Sequence, residues 1–461
     1  MANSGDPLLR LAVVGHTNVG KTSLMRTLMR DASFGNVAAT SATTRQVEGA
    51  RLLAEGQPVV ELFDTPGLEA AGALIERLEN VAGERHTGPE QIEAFLASDA
   101  AARQFEQEAR VLAQMIDSDA ALYVTDAREP VLGKYQDELA VLALCARPIL
   151  PVLNFTTNEH SRSGEWREAL ARVGLHVVVE FDTVVFSLES EARLWRRLAT
   201  LTDPHATVLE QLIVDREAKA SWQSATARSM IAELLVDAAA ARRSAERSDP
   251  EAIEHAHRSL REAIARREQR FVEQLLELFR FTEADYRSVP LPIEKGRWQS
   301  SPFDPGMLAI LSRRAGGGLA AGAAAGAAVD VAAGGLSLGA GALIGALAGG
   351  GISGAWQLRR DLVERMRGRV SLMADNAALT TLAARAFALL DALGQRGHAA
   401  QEPVEIARKL PSPWPERGLP QALLKARLKP GISTLNRGER SDAETRHALA
   451  EELRALLDRN P

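Results

Sequence analysis

Gly15-His16-Thr17-Asn18-Val19-Gly20-Lys21-Thr22-Ser23 follows an apolar run over 9–14 that reads as a buried strand, and it leads into 24–28, which reads as the first turns of a helix. Glycine, four residues, then Gly-Lys-Thr between a strand and a helix is the P-loop pattern. Gly15 and Gly20 permit a tight turn whose N–H groups face inward at the positive end of the helix, and that concavity binds phosphate. Lys21 would reach the β- and γ-phosphates and the Thr22 hydroxyl would ligate Mg²⁺, with Asn18, Val19 and Ser23 completing the cradle. The stretch predicts binding of a nucleoside triphosphate.

Composition sets the frame around this motif. The chain has 461 residues, of which 25% are charged, 46% apolar and 5% aromatic. That length exceeds one ordinary core, so two or three domains are expected. The formal net charge of −6 gives no general attraction to nucleic acid. The single cysteine, Cys145, excludes an internal disulfide, fits a reducing compartment and reads as a core residue of an apolar helix. Residues 1–6 lack the basic and apolar regions of a signal peptide, so a cytoplasmic location is expected.

A polar stretch over 31–46 reads as a loop, and 47–54 and 58–63 read as two strands joined by a turn at Glu55-Gly56-Gln57. The second strand ends in Asp64-Thr65-Pro66-Gly67. An aspartate at a strand tip can hold Mg²⁺ through water, and the Gly67 N–H can approach a γ-phosphate closely. Residues 69–117 are helical in period and longer than one connecting helix needs, which predicts a helical insertion around 75–117. Apolar runs over 120–125 and 149–153 read as buried parallel strands with a helix around 136–144 between them, followed by a helix over 165–173, a β-rich segment over 177–186 and a helix over 189–201. This alternation predicts a doubly wound α/β domain over 1–202. Asp203-Pro204 and Asp249-Pro250 each read as an N-cap acid before a first-turn proline. The helix after Asp249 carries Ile253, Leu260, Ile264, Phe271, Leu275 and Leu278 as an apolar stripe, which reads as core. The division expected is therefore 1–202, a long-helix region over 203–285, and a mainly α-helical region over 286–461 that opens on a linker rich in proline.

These residues resemble the bacterial GTPases of the Era and TrmE type. The wording of the whole chain, through "VVGHTNVGKTSL", "VEGARL", "DTPGLE", "DAREP", "LPVLNF" and a Gly/Ala-rich tract, looks closer still to a family that joins a GTPase to the domain of unknown function numbered 3482. The resemblance implies that Thr44, before Arg45, senses the γ-phosphate and binds Mg²⁺, with Thr43 the neighbouring candidate. It implies catalytic parts for Lys21, Thr44, Asp64 and Gly67, and a K⁺ ion beside the phosphates on Asn18. In place of the guanine-reading Asn-Lys-x-Asp stands Asn154-Phe155-Thr156-Thr157, so the aspartate that accepts from guanine is replaced, and Asn158 and Asp182 are both candidates to substitute for it. Leu68 follows Gly67 where Ras has a water-orienting glutamine, which implies slow intrinsic turnover.

From 315 to 355 almost every residue is Gly, Ala, Leu, Val or Ile, with Asp330 the only charge. Gly318, Gly322 and Gly326 recur every four residues, as do Gly341, Gly345 and Gly349. With a turn at Gly334-Gly335, two helical arms of about 30 Å would form, each long enough to cross a bilayer, with Arg313-Arg314 and Arg359-Arg360 at the cytoplasmic ends. A glycine-zipped hairpin buried in a soluble bundle accounts for the same pattern. Lys425, Arg427, Lys429 and Arg437 form a mildly basic stretch that reads as solvated surface or a headgroup contact. The expected activity is Mg²⁺-dependent GTP hydrolysis by a molecular switch at the inner membrane. The alternatives are a membrane-attached nucleotide-binding scaffold that hardly hydrolyses, and a soluble ribosome- or RNA-associated GTPase. GTP and GDP are the expected ligands, with K⁺ at Asn18, lipid at 315–356 and a homodimer through the G domain as further candidates. No nucleic-acid partner is expected, because no strongly basic module follows the G domain.

Overall fold

The structure, a computed structural model, describes residues 8–30, 48–81, 88–281, 293–294, 297–298, 336–337, 368–395, 414, 418–436 and 442–458. Thr43, Thr44 and Arg45, the linker prolines and Arg437 lie outside the described residues, as does nearly all of 315–356. The chain divides into two compact units, Met1–Ser221 with Gln395–Gln401 and Trp222–Gly394 with Glu402–Pro461.

The first unit is built on a six-stranded sheet. Its strands are β1 (Leu9–Val14), β2 (Glu48–Ala54), β3 (Gln57–Asp64), β4 (Ala120–Asp126), β5 (Ile149–Asn154) and β6 (Val179–Glu180), in the order β2-β3-β1-β4-β5-β6. Only β2 runs antiparallel, to β3, because the turn between them is short: Glu55 (φ 50°) and Gly56 (φ 81°) take the left-handed conformations that a two-residue hairpin needs. The remaining pairs are parallel, as crossover helices require. The helices are α1 (Lys21–Met29), α2 (Ala71–Val81), α3 (Gly88–Leu96), α4 (Asp99–Arg103), α5 (Glu106–Ile116), α6 (Gly133–Ala143), α7 (Ser163–Arg172) and α8 (Leu188–Ala199). Helices α2 to α5 occupy the stretch around 75–117 that reads as an insertion.

Apolar strands buried on both faces feed two cores. Leu9, Leu11 and Val13 of β1 face α1 and α8 with Leu122, Val152 and Trp195, while Ala12 and Val14 face the opposite side with Phe95, Leu112, Tyr123 and Trp166. Within the six-stranded sheet, the β-rich segment expected over 177–186 pairs only at Val179 and Glu180. Beyond them Asp182 accepts hydrogen bonds from the Val184 and Val185 amides, and this turn takes the backbone out of the sheet.

The helix α9 (Ala206–Ala240) spans the boundary between the two units. Asp203 does not cap it: residues Asp203–His205 form a 3-10 turn that precedes it, with Thr202 at the N-cap position. Asp249 does cap α10 (Pro250–Leu278), its Oδ1 accepting from the amides of Glu251 and Ala252. The other elements of the second unit are β7 (Arg243–Glu246), the two-residue strands β8 (Ile293–Glu294), β9 (Arg297–Trp298) and β10 (Leu336–Ser337), β11 (Arg369–Ala374), α11 (Asn376–Gly394), α12 (Gln421–Arg427) and α13 (Ala443–Leu457). Leu260, Ile264, Phe271 and Leu275 of α10 are buried against Leu235, Leu382 and Leu453, so the stripe is core. Leu336 and Ser337 pair antiparallel with Ala374 and Met373, so at this point the Gly/Ala tract is extended where the sequence reading places a helical arm. The edge of β11 opposite β7 supplies the backbone partners. Among the described residues no helix is long and apolar enough to cross a membrane. Arg427, expected on a solvated face, is buried, donating to Asn376 Oδ1 and the Ala374 carbonyl, and burial lowers its pKa to about 10. Lys425 pairs with Glu452 at 2.8 Å.

Candidate functional site

The site lies at the C-terminal tips of β1, β3 and β5, where the strand order changes direction, the place at which open α/β sheets leave a crevice. The chain leaves β1 at Gly15 with φ +138°, and a Cβ there would lie 2.3 Å from the Val124 carbonyl oxygen, so only glycine lets the loop cross β4. It enters α1 through Gly20, which is left-handed at φ 95° and occupies the N-cap without any side chain to cap the helix. No acidic residue stands in the first turn of α1, so no side chain of its own offsets the positive end of its dipole. Lys21 reaches back along the loop and donates to the carbonyls of Gly15 (3.0 Å) and His16 (2.8 Å). Burial lowers its pKa, and the carboxylates of Asp64, Glu138 and Glu69 oppose that shift. Asn18, at φ 64°, has an exposed side chain, and Val19 is buried. Ser23 lies in the first turn of α1, its carbonyl accepting from Thr27 Oγ1 at 3.0 Å.

The end of β3 meets this loop. Thr22 Oγ1 donates to Asp64 Oδ2 at 2.5 Å, and Thr65 Oγ1 donates to the Val13 carbonyl at 2.7 Å. Gly67 packs so closely on Thr17 that a Cβ would lie 2.2 Å from its Oγ1. The Leu68 amide points to the Gly15 carbonyl at 3.5 Å, and Thr17 Oγ1 donates to Glu69 at 2.5 Å. The two motifs, more than forty residues apart, are thereby one site. A hydroxyl and a carboxylate in contact at a helix N-terminus are hard oxygen donors that suit Mg²⁺, which takes few protein ligands beside phosphate. Among the described residues no group of three or more His, Cys, Asp or Glu could hold a metal by itself.

Asn154 is fully buried at the tip of β5. Its Nδ2 donates to the Val19 carbonyl (3.1 Å), and its Oδ1 accepts from the Phe155 (2.9 Å) and Thr183 (3.1 Å) amides. The side chain therefore ties the P-loop to the turn after β6. Phe155, left-handed at φ 58°, sets its ring tip 3.4 Å from where a Gly20 Cβ would be, and Arg128 covers the ring at 4.0 Å while pairing with Asp126. Of the two candidates to read a base, Asp182 already accepts four hydrogen bonds, from Val184, Val185 and the amide and hydroxyl of Thr157. Asn158 Oδ1 accepts from the exposed His160 amide. Cys145 is buried, and burial pushes its thiol up to about 12, which makes it inert.

Sequence reasoning missed one group at this site. Glu138 of α6 is completely buried, receives the Tyr123 hydroxyl on Oε2 (2.8 Å) and binds His16 Nδ1 through Oε1 (2.7 Å). Its position on one face of an amphipathic helix carries no local mark of a contact 122 residues away. The one available signal is a histidine inside the phosphate loop.

Residues 10–155 match the family described as "50S ribosome-binding GTPase", and residues 167–455 match the family described as "Domain of unknown function (DUF3482)". No curated protein matches the chain in sequence. Among solved structures it is similar to Aquifex aeolicus Era bound to GDP.AlF4-, at 16% identity over 38% of this chain and 50% of that one, with a TM-score of 0.26. Era in complex with MgGDPNP and nucleotides 1506–1542 of 16S ribosomal RNA is 15% identical over 38% of this chain and 51% of that one, with a TM-score of 0.28. The bacterial selenocysteine-specific elongation factor EF-Sec is 15% identical over 42% and 29%, with a TM-score of 0.29. The chain spans about half the length of the Era structures it matches. With the match over 167–455 taking in more than half of its residues, the chain belongs to the DUF3482 family, and it carries a P-loop GTPase domain ahead of a largely helical C-terminal region.

Proposed function

We propose that this GTPase domain is a Mg²⁺-dependent switch of the Era and TrmE type that hydrolyses GTP slowly. The observation that carries the reading is the docking of Asp64 and Gly67 onto the P-loop, since a switch needs a segment whose position a γ-phosphate can set. The Lys21 ammonium, held on two loop carbonyls, would turn to the β- and γ-phosphates, which are stronger acceptors. Thr22 directly and Asp64 through water would hold Mg²⁺, which when bound offsets the charge that develops on the phosphoryl oxygens. Thr44 is the proposed second sensor. Gly67 would offer its N–H to the γ-phosphate, and its lack of a Cβ is what allows the approach. Leu68 is buried and apolar, so it cannot orient a water, which supports slow turnover. The exposed Asn18 at the loop apex supports a K⁺ ion beside the phosphates.

Base selection is expected to be weak. The Asn154 amide is spent on the P-loop and the Asp182 carboxylate on its own turn, so neither offers guanine an unengaged acceptor. Phosphate release from GTP and from ATP, each with Mg²⁺ and with chelator, tests the reading. Slow Mg²⁺-dependent release with a modest preference for GTP is expected. Binding without release would favour the scaffold, and equal or faster ATP turnover would remove the GTP preference.

A further inference from the structure

His16, inside the phosphate loop, is held by one completely buried side chain, Glu138, and by a backbone carbonyl. Its Nδ1 lies 2.7 Å from Glu138 Oε1 and 3.2 Å from the Leu68 carbonyl oxygen. The Leu68 carbonyl can only accept, so Nδ1 must carry the proton and is shared between the two oxygens. Glu138 cannot swing away: it is 0% exposed and its other oxygen receives the Tyr123 hydroxyl at 2.8 Å. Tyr135 closes the other side, its ring edge-on to the imidazole at 5.8 Å.

Leu68 is the residue at which Ras-like enzymes orient water with a side chain, and here the side chain is apolar and buried. What remains at this position is backbone, and the loop grips it from both sides. The Leu68 N–H faces the Gly15 carbonyl and the Leu68 C=O faces His16. Fixing these two peptide groups fixes the Gly67 peptide that precedes them, which packs directly on Thr17.

We propose that His16 is a positioning residue for GTP hydrolysis, holding the Gly67-Leu68 backbone in register with the P-loop through its Nδ1–H, and that Glu138 acts by locking that donor in place. The inference rests on the proposed GTPase reading. His16 touches no phosphate by this role; it acts through the Leu68 carbonyl. Because the donor is Nδ1 and not Nε2, the two amide replacements are not equivalent. Asparagine places an N–H where Nδ1 stands, whereas glutamine places it where Nε2 stands.

The test measures kcat for GTP at saturation and, separately, Kd for a non-hydrolysable GTP analogue, in the full chain and in His16→Asn, His16→Gln, His16→Ala and Glu138→Gln. Thermal melts identify which variants fold. Kd is expected to stay within about threefold throughout, because the backbone cradle and Lys21 are untouched. The kcat is expected to fall at least tenfold in His16→Gln and His16→Ala, and by no more than about threefold in His16→Asn. Glu138→Gln keeps an acceptor but loses the charge, and kcat should fall severalfold at unchanged Kd. Equal kcat in His16→Asn and His16→Gln overturns the positioning role, as does a loss confined to Kd. If His16 variants do not fold, Glu138→Gln at wild-type kcat overturns it alone. A wild-type chain that binds GTP and never hydrolyses it defeats the underlying reading instead, so the two failures are distinct.

Discussion

Replacing Asn154 with alanine should cost the first unit about 3–5 kcal/mol. The side chain is fully buried and makes three hydrogen bonds, to the Val19 carbonyl and the Phe155 and Thr183 amides. Alanine removes all three at once, and two of the abandoned groups, the Val19 carbonyl and the Thr183 amide, belong to buried residues. An unsatisfied buried donor or acceptor costs ~1–3 kcal/mol, and the Phe155 amide, only partly buried, adds less. The amide also packs directly on Gly20, where a Cβ would lie 2.3 Å from Nδ2, so its loss opens a small cavity beside the helix entry. At ~2–4 °C per kcal/mol for a domain of this size, the melting temperature of the unit should fall by about 6–20 °C. Thermal unfolding followed by tryptophan fluorescence is a direct assay, because Trp166 and Trp195 are both fully buried in this unit. Phosphate affinity should fall as well, since the Val19 carbonyl loses the bond that anchors the loop. A variant that melts within ~2 °C of the wild type, equivalent to less than ~1 kcal/mol, would refute the idea that this side chain anchors the P-loop.

In the second unit, burial raises the Glu268 carboxyl to about 7 while Arg385, 3.1 Å away, opposes the shift. Its pKa is thus higher folded than unfolded, so its contribution to stability should be largest below about pH 4.5 and decline as pH rises to about 7. Removing Arg385 alone should cost ~3–5 kcal/mol, whereas Glu268→Gln with Arg385→Met should cost little and flatten the pH dependence of urea unfolding; an unchanged slope would contradict this. If Asn18 holds a monovalent cation, replacing Na⁺ by K⁺ at constant ionic strength should raise GTP turnover at saturating nucleotide, and no change would remove that role. If 315–355 inserts in a bilayer, the full chain should sediment with membranes through high-salt and alkaline washing, and recovery in the supernatant without detergent would exclude insertion.

Much of the nucleotide site was legible because its chemistry is local. A strand, a glycine turn and a helix start fit into twenty residues, and Asp64-Thr65-Pro66-Gly67 sits at the tip of a short apolar strand that the turn at Glu55-Gly56-Gln57 sets off. Buried parallel strands, being apolar on both faces, also declared themselves over 120–125 and 149–153. The losses were at places where tertiary contact decides. Val177 to Phe186 has strand composition, yet the Asp182 carboxylate captures the next amides and ends pairing with β5 after two residues. The proline of Asp203-Pro204 starts a 3-10 turn one step before the helix instead of the helix itself. Arg427 reads as one of several surface cations, and only the fold shows that Asn376 and a strand carbonyl take it inside. The partnership of Glu138, Tyr123 and His16 joins α6, β4 and the loop, and no window of sequence contains all three.

If the loop from Gly15 to Thr22 binds a triphosphate through Lys21, a titration will show it. A fluorescent, non-hydrolysable GTP analogue with Mg²⁺ would be titrated into the full chain and into Lys21→Ala. Lys21 is buried against the loop carbonyls and is the cation fixed at the phosphate cradle. Saturable binding at one site per chain is expected for the wild type, with affinity reduced at least a hundredfold in a variant that still folds; this is the ~3 kcal/mol upper range of a hydrogen-bonded charge. Equal affinity in the two proteins would contradict the assignment.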